Sequence, residues 1–288
     1  MFEKYIGFTQ NAIKEIYAYK FRMFIWLLYD FIFLFVEYFL WKAIFTANGG
    51  SLYNISISQY INYIAIGLLV TRIARCSIDF DVANEVKSGN VIMNLLKPYS
   101  YIKMNFAKHL GYTVGTLFNM IPVLVLIFIL TGFKGLTLNI TLVFSISLVF
   151  SFLIGFLFSM SIGLLAFWLT NIWGLNLFKW NLIAIFSGQM IALNLLFKIA
   201  REGFNNLPIS FISERFLQFF FLGIGYLSYL LPFQAMTYTP SGIYTGMISG
   251  FENISFHIIL QVFWLVIMTL IVNTMWKRAQ KKIVVMGG

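Results

Sequence analysis

The chain has 288 residues, of which 60% are hydrophobic and 10% charged, with a formal net charge of +10 and a mean hydropathy of +0.85. A soluble domain carries roughly 25% charged residues, and one core of this size has no room for so much apolar surface. A water-soluble globule is therefore excluded, and the bilayer is the solvent for most of the chain. The basic residues fall between apolar segments, which marks them as topology signals and contacts to anionic lipid and argues against nucleic-acid binding.

Residues 1–22 read as an amphipathic helix lying on the membrane. Phe2, Ile6, Ile13 and Tyr17 share one face, and Lys4, Asn11, Glu15 and Arg22 the other. An ordinary helix packed on protein fits the same pattern. The first apolar run begins near Phe24 and is too long and too acidic for a cleaved signal peptide, so it reads as an uncleaved insertion signal.

The fold class expected is all-α integral membrane, with six spanning helices. They run from about Phe24 to Phe45, Ile57 to Ile73, Gly111 to Leu130, Leu138 to Leu169, Trp180 to Phe197, and Ile254 to Met275. Each is near the ~20 residues that a ~30 Å hydrocarbon core requires. With the N-terminus in the cytosol, the inside segments hold Lys4, Lys14, Lys20, Arg22, Arg72, Arg75, Lys87, Lys97, Lys103, Lys108, Lys179, Lys277, Arg278, Lys281 and Lys282. The outside holds Lys134, Lys198, Arg201 and Arg215, with Lys42 at the outer end of the first helix. This bias puts both termini in the cytosol.

The stretch Phe216 to Pro232 is apolar enough for a seventh span. A seventh span would move the basic C-terminal tail outside, and Asn205, Asn206, Pro208 and Pro232 punctuate the region. Residues 198–253 are therefore read as outer-face structure that re-enters the membrane, with its backbone covered by protein or water.

In the first span Asp30 and Glu37 lie seven apart, on one face. A carboxylate at depth in the bilayer is paired or faces a cavity. Asp30 is near the cytosolic end and within reach of water. Glu37 is deeper and is a candidate for the transport pathway, with Gln189 and Gln261. The plainer reading is an internal hydrogen bond between helices, for example to Asn62, Asn119, Gln189 or Gln261.

The fourth span carries Ser147, Ser151, Gly155, Ser159 and Gly163 at four-residue intervals. This small-xxx-small stripe predicts the close approach of a neighbouring helix, in the same chain or in a second one. In the loop between the second and third spans (77–98), Asp79 to Gly89 reads as a short helix. Ser77 or Asp79 is placed to cap its start and Gly89 to end it, with acids early and Lys87 late as the helix dipole prefers. Such a helix either docks on a partner or merely joins two spans.

The chain lacks G-x-x-x-x-G-K-[ST], H-E-x-x-H and G-x-S-x-G, and His109 and His257 lack metal-site spacing. Catalysis by this polypeptide alone is not expected. The single cysteine, Cys76, excludes an intrachain disulfide and reads as a packing residue more readily than as a reactive thiol.

Taken in order, several segments resemble the six-span permeases of type-2 ABC exporters. They are Tyr38-Phe39-Leu40-Trp41-Lys42-Ala43, Asp81 to Gly89, Leu95-Leu96-Lys97-Pro98, Ser187-Gly188, Leu231 to Met236, Tyr238-Thr239-Pro240, Gln261, Trp264, and the basic tail ending in Gly287-Gly288. Ala192 stands where many relatives carry proline. The resemblance implies one permease domain over 1–288, with a membrane-elbow helix, a coupling helix and an outer re-entrant hairpin. It also implies paired permeases, copies or paralogues, in a bacterial cell membrane. A separate cytosolic ATPase would bind ATP and Mg, so no cofactor is expected in this chain.

On that resemblance Asp79, Asp81, Glu85, Val86 and Gly89 become ATPase-coupling candidates. The function implied is ATP-driven export of a hydrophobic or amphipathic substrate, a class also suggested by the Phe-rich wall. Rival readings are a stand-alone channel or secondary transporter, which would show paired broken helices in two related halves, a membrane enzyme, and a non-transporting sensor or immunity subunit on the same scaffold.

Overall fold

A computed structural model describes residues 3–131, 138–169, 171–202 and 214–286. Phe2, Lys134, Asn205, Asn206, Pro208, Gly287 and Gly288 lie outside the described residues. So does part of the expected re-entrant region.

Described helices are α1 (Glu3–Ala18), α2 (Lys20–Ala47), α3 (Ile57–Ala74), α4 (Ile78–Lys87), α5 (Asn90–Leu95), α6 (Tyr101–Asn119), α7 (Ile121–Thr131), α8 (Leu138–Leu164), α9 (Trp173–Phe186), α10 (Leu193–Glu202), α11 (Glu214–Leu230), α12 (Tyr238–Thr245) and α13 (Phe251–Met286). Two short antiparallel strands, β1 (Ser51–Leu52) and β2 (Ile55–Ser56), form a hairpin between α2 and α3. The chain is an all-α membrane protein; among the described residues four helices are long and apolar enough to cross a bilayer, or up to five if the bent pair α6–α7 is one span.

The bend in that pair is 55°. Pro122 explains it: proline has no N–H for the preceding turn and its ring crowds the carbonyl four residues back. The expected fifth span, 180–197, is not one continuous helix. α9 stops at Phe186 and α10 begins at Leu193. The non-helical backbone between them is covered by α3. Tyr63 donates its hydroxyl hydrogen to the Gly188 carbonyl at 2.6 Å, and the Ala192 N–H donates to the Tyr60 hydroxyl at 3.3 Å. Gly188 sits at φ +78°, a region open to glycine. Irregular backbone at membrane depth is tolerated where protein satisfies it in this way.

α2 buries a single stripe, Asp30, Leu34, Glu37, Trp41 and Phe45, and leaves large apolar side chains such as Phe35, Val36, Phe39 and Leu40 exposed. The stripe is the protein-facing side, and the rest suits hydrocarbon. α1 packs on α6 mainly through a stripe between the two faces expected from its pattern, with Glu15 of the polar face accepting from the Tyr112 hydroxyl at 2.8 Å. Thr9 donates its hydroxyl hydrogen to the Ala107 carbonyl at 2.9 Å, Ala12 and Ile16 are buried, and a Cβ on Gly115 would meet Ile16 at 2.7 Å. Ile6 and Tyr17 stay exposed.

Leu231 to Thr237 is a strap between α11 and α12 with Phe233 to Met236 buried. Gln261 on α13 donates to the carbonyls of Ala235 (2.8 Å) and Ser147 (3.1 Å), tying strap, α8 and α13 together.

Candidate coupling site

The small-residue stripe of α8 does bring its neighbours close, but the element lying over its C-terminal half is α4 and the end of α3. A Cβ on Gly155 would collide with the Ala74 carbonyl, and one on Gly163 would sit 2.9 Å from both Asp79 Cα and Val82 Cβ. Further toward the N-terminus, Ser151 donates its hydroxyl hydrogen to the Met236 carbonyl and Ser147 accepts from Gln261 through its own carbonyl. All three serines are buried.

Asp79, in the first turn of α4, is fully buried. Its Oδ2 accepts from Lys179 Nζ at 2.8 Å and from Asn176 Nδ2, both on α9. Its Oδ1 lies 2.7 Å from the Ser159 hydroxyl of α8, which is also 3.0 Å from the Cys76 carbonyl. That hydroxyl has one proton, and the carboxylate is the stronger acceptor. Lys179 uses all three donors, the other two meeting the Cys76 carbonyl at 3.0 Å and Ser159 Oγ at 3.3 Å. A buried charge pair is tolerable when its remaining hydrogen-bonding positions are filled, and removing one partner costs about 3–5 kcal/mol. The pair thus fixes α4 to α8 and α9 at once.

Farther along α4, Glu85 accepts from the Tyr101 hydroxyl at 2.7 Å and from Lys108 Nζ at 2.8 Å, anchoring α4 to α6. Val82 is fully buried, while Val86 and Asp81 are half-buried. Ser77 occupies the N-cap position without a side-chain bond, and the helix closes at Ser88. Gly89 follows at φ +74° and starts α5. The same α4–α5 unit leaves Phe80, Ile92, Met93 and Leu96 exposed.

The coupling candidates therefore divide. Asp79 and Glu85 face inward as anchors, and Gly89 forms the turn. The three pathway candidates are not brought together. Glu37 is buried and accepts from Trp41 Nε1, on its own helix, at 2.9 Å. Gln261 holds the strap. Gln189 lines a cavity of about 300 Å³ between α2, α3 and α9.

Sequence reading missed Lys179 and Asn176 as partners of Asp79. The available signal was a lone cation in an apolar helix with Asn176 three residues before it, on the same face. It also missed the pairing of Asp30 with Arg72, whose Nε and Nη2 both donate to Oδ1.

A family model described as "ABC-2 family transporter protein" matches residues 31–215, a stretch that includes α3, α4, α8 and α9. No match is found among curated proteins or among solved structures. That match covers more than half of the chain, and with the apolar helices it establishes that the protein belongs to the ABC-2 transporter family, as a membrane-spanning permease component.

Proposed function

We propose that this chain is the permease subunit of an ATP-driven exporter, moving a hydrophobic or amphipathic substrate with work done by a separate cytosolic ATPase. The observation that carries the reading is the seating of α4. It is locked to α8 and α9 through Asp79 and Lys179, while the α4–α5 unit presents Phe80, Ile92, Met93 and Leu96 to the outside. An ATPase docked on that apolar patch would push on a helix that cannot slide independently of the two spans. Nucleotide shifts the equilibrium between conformations by its differential affinity for them, as any ligand-driven change requires.

In the membrane we place α4 and both termini in the cytosol, following the Lys and Arg bias. The six-span count of the family type is reached if α6–α7 and the broken pair α9–α10 each cross once. Residues 198–253, from the end of α10 through α12, then form the outer re-entrant region, in keeping with Lys198 Nζ donating to the Tyr53 carbonyl beside the hairpin at the far end of α2 and α3. α1 is the interfacial elbow, with Ile6 and Tyr17 toward lipid. A second permease, identical or paralogous, completes the pathway in a bacterial cell membrane. The ATPase supplies the site for ATP and Mg.

The test is reconstitution in proteoliposomes, with and without the ATPase subunit. ATP-dependent movement of an amphipathic probe in the complex, and none by the chain alone, is expected. Transport by the chain alone would instead establish the stand-alone channel or secondary transporter.

A further inference from the structure

At the α4 end of α3, Arg75 is held between two indole rings. Its guanidinium carbon lies 4.2 Å from the ring centre of Trp180 on α9 and 5.2 Å from that of Trp26 on α2. Neighbouring Arg72 is neutralised by Asp30. Arg75 forms no ion pair and no side-chain hydrogen bond among the described residues. A guanidinium has five N–H donors in a planar fork suited to carboxylate or phosphate. Stacking on indole faces positions that fork without using its donors.

The group borders two connected features. One is the cavity of about 300 Å³ that Gln189 lines, at the small end of the usual ligand-pocket range. Its charged lining residues are Asp30, Arg72 and Arg75, so one positive charge is left over. Its remaining wall is mostly apolar, with Phe33, Leu68, Ile183 and Met190, and Thr71, Asn181, Gln189 and Thr237 add neutral polar groups. The second is a cavity of about 480 Å³ toward α6, where Arg22, Arg72 and Arg75 are balanced by Glu15, Asp30 and Asp81. Arg75 is common to both linings, and on the side of the smaller, mostly apolar cavity the one acidic lining residue, Asp30, is already engaged by Arg72.

We infer that the α2–α3–α9 cavity binds the anionic head of an amphiphile, with Arg75 as the head-group ligand and the apolar wall against its tail. The shared chemistry is a phosphate or carboxylate on a hydrocarbon chain, from either a resident anionic lipid or a transported solute. Calling the amphiphile a cargo rests on the permease reading, whereas the binding site itself does not. Arg75 directly precedes Cys76, whose carbonyl accepts from Lys179, so an occupied site is one residue from the coupling anchor.

The experiment is equilibrium binding to the full chain in non-ionic detergent, without ATP or ATPase, using an alkyl phosphate with a fluorescent tail and reading anisotropy. Saturable binding is expected, weakened on the order of tenfold by Arg75→Gln and less by Arg75→Lys, which keeps the charge but loses the planar fork. The same tail on a trimethylammonium head should not saturate. Melting temperatures of both variants are measured alongside, and Arg75→Lys serves if Arg75→Gln does not fold. Wild-type affinity within twofold in a folded Arg75→Gln overturns the site, as does equal binding of the cationic probe.

Lipid extraction separates the two sources. An anionic lipid that copurifies with wild type and is depleted in Arg75→Gln identifies a resident lipid. ATP-driven uptake of the probe by the reconstituted complex identifies a cargo. Binding without ATP-driven uptake would leave the site standing and count against the transport reading alone. Uptake of other solutes without probe binding would do the reverse.

Discussion

Lys179 on α9 and Asp79 on α4, 100 residues apart in sequence, form an ion pair of 2.8 Å in which both side chains are shielded from solvent. The pair lies where a short helix meets two long ones, and Ser159 supplies a hydroxyl from the second. Its consequences are open to direct measurement.

Removing either charge alone should be severe. Lys179→Met leaves a buried carboxylate with two neutral donors, and Asp79→Asn leaves a buried ammonium. Each is expected to cost about 3–5 kcal/mol of stability. The combined Asp79→Asn, Lys179→Met protein should recover much of that loss, because no charge is then left unpaired. Denaturation in detergent of the four proteins, treated as a double-mutant cycle, gives the coupling. Additive effects would remove the pair from the account.

The glycines of α8 predict a graded response. Gly163→Ala forces α4 away by a few tenths of an ångström, at about 1–3 kcal/mol. Gly155→Ala meets the Ala74 backbone, which cannot rotate away, and should cost more. Gly174→Ala, on α9, has open space around it and should be neutral or stabilising by up to about 1 kcal/mol. Thermal melting of the three ranks them, and an equal effect at all three positions would contradict the close approach.

At the break between α9 and α10, Ala192→Pro deletes the N–H that reaches Tyr60. The expected loss is about 0.5–1.5 kcal/mol. Tyr60→Phe should cost a similar amount, and the two should be less than additive when combined. The proline that the family resemblance implies at this position could not make this hydrogen bond.

On the α4–α5 unit, Gly89→Pro demands φ near −65° where the chain has +74°. It should disrupt the turn, with loss of both stability and ATPase association. Met93→Ser with Leu96→Ser removes exposed apolar surface without touching an anchor. These substitutions should leave melting within about 0.5 kcal/mol while weakening co-purification with the ATPase. Retained co-purification would place docking elsewhere.

Much of this architecture was legible in the sequence because the bilayer imposes length and polarity directly. The spans corresponding to α2, α3, α8 and α13, the α4 helix and the α8 stripe all follow from apolar runs, small-residue spacing and caps. The break after Phe186 was not legible, since Ser187 to Ala192 contains no proline and its backbone is satisfied by Tyr60 and Tyr63, over a hundred residues away. Asp79 illustrates the limit for the site. Its position near a helix start suggested capping or a partner surface, whereas tertiary packing turned it inward to Lys179. By sequence alone Lys179 reads only as one of the topology charges. Long-range pairings of this kind leave no local period to read.

The central claim is that α4 and α9 move as one body when nucleotide acts. Spin labels at Asn84→Cys and Phe178→Cys, both exposed positions, report that distance by pulsed electron resonance, and the native Cys76 is buried from labelling. In the ATPase complex, the distance distribution should keep its peak within about 2 Å between nucleotide-free and ATP-bound states, the scale of small packing shifts. A displacement of roughly 5 Å, about one helical turn, in the intact protein would contradict the account.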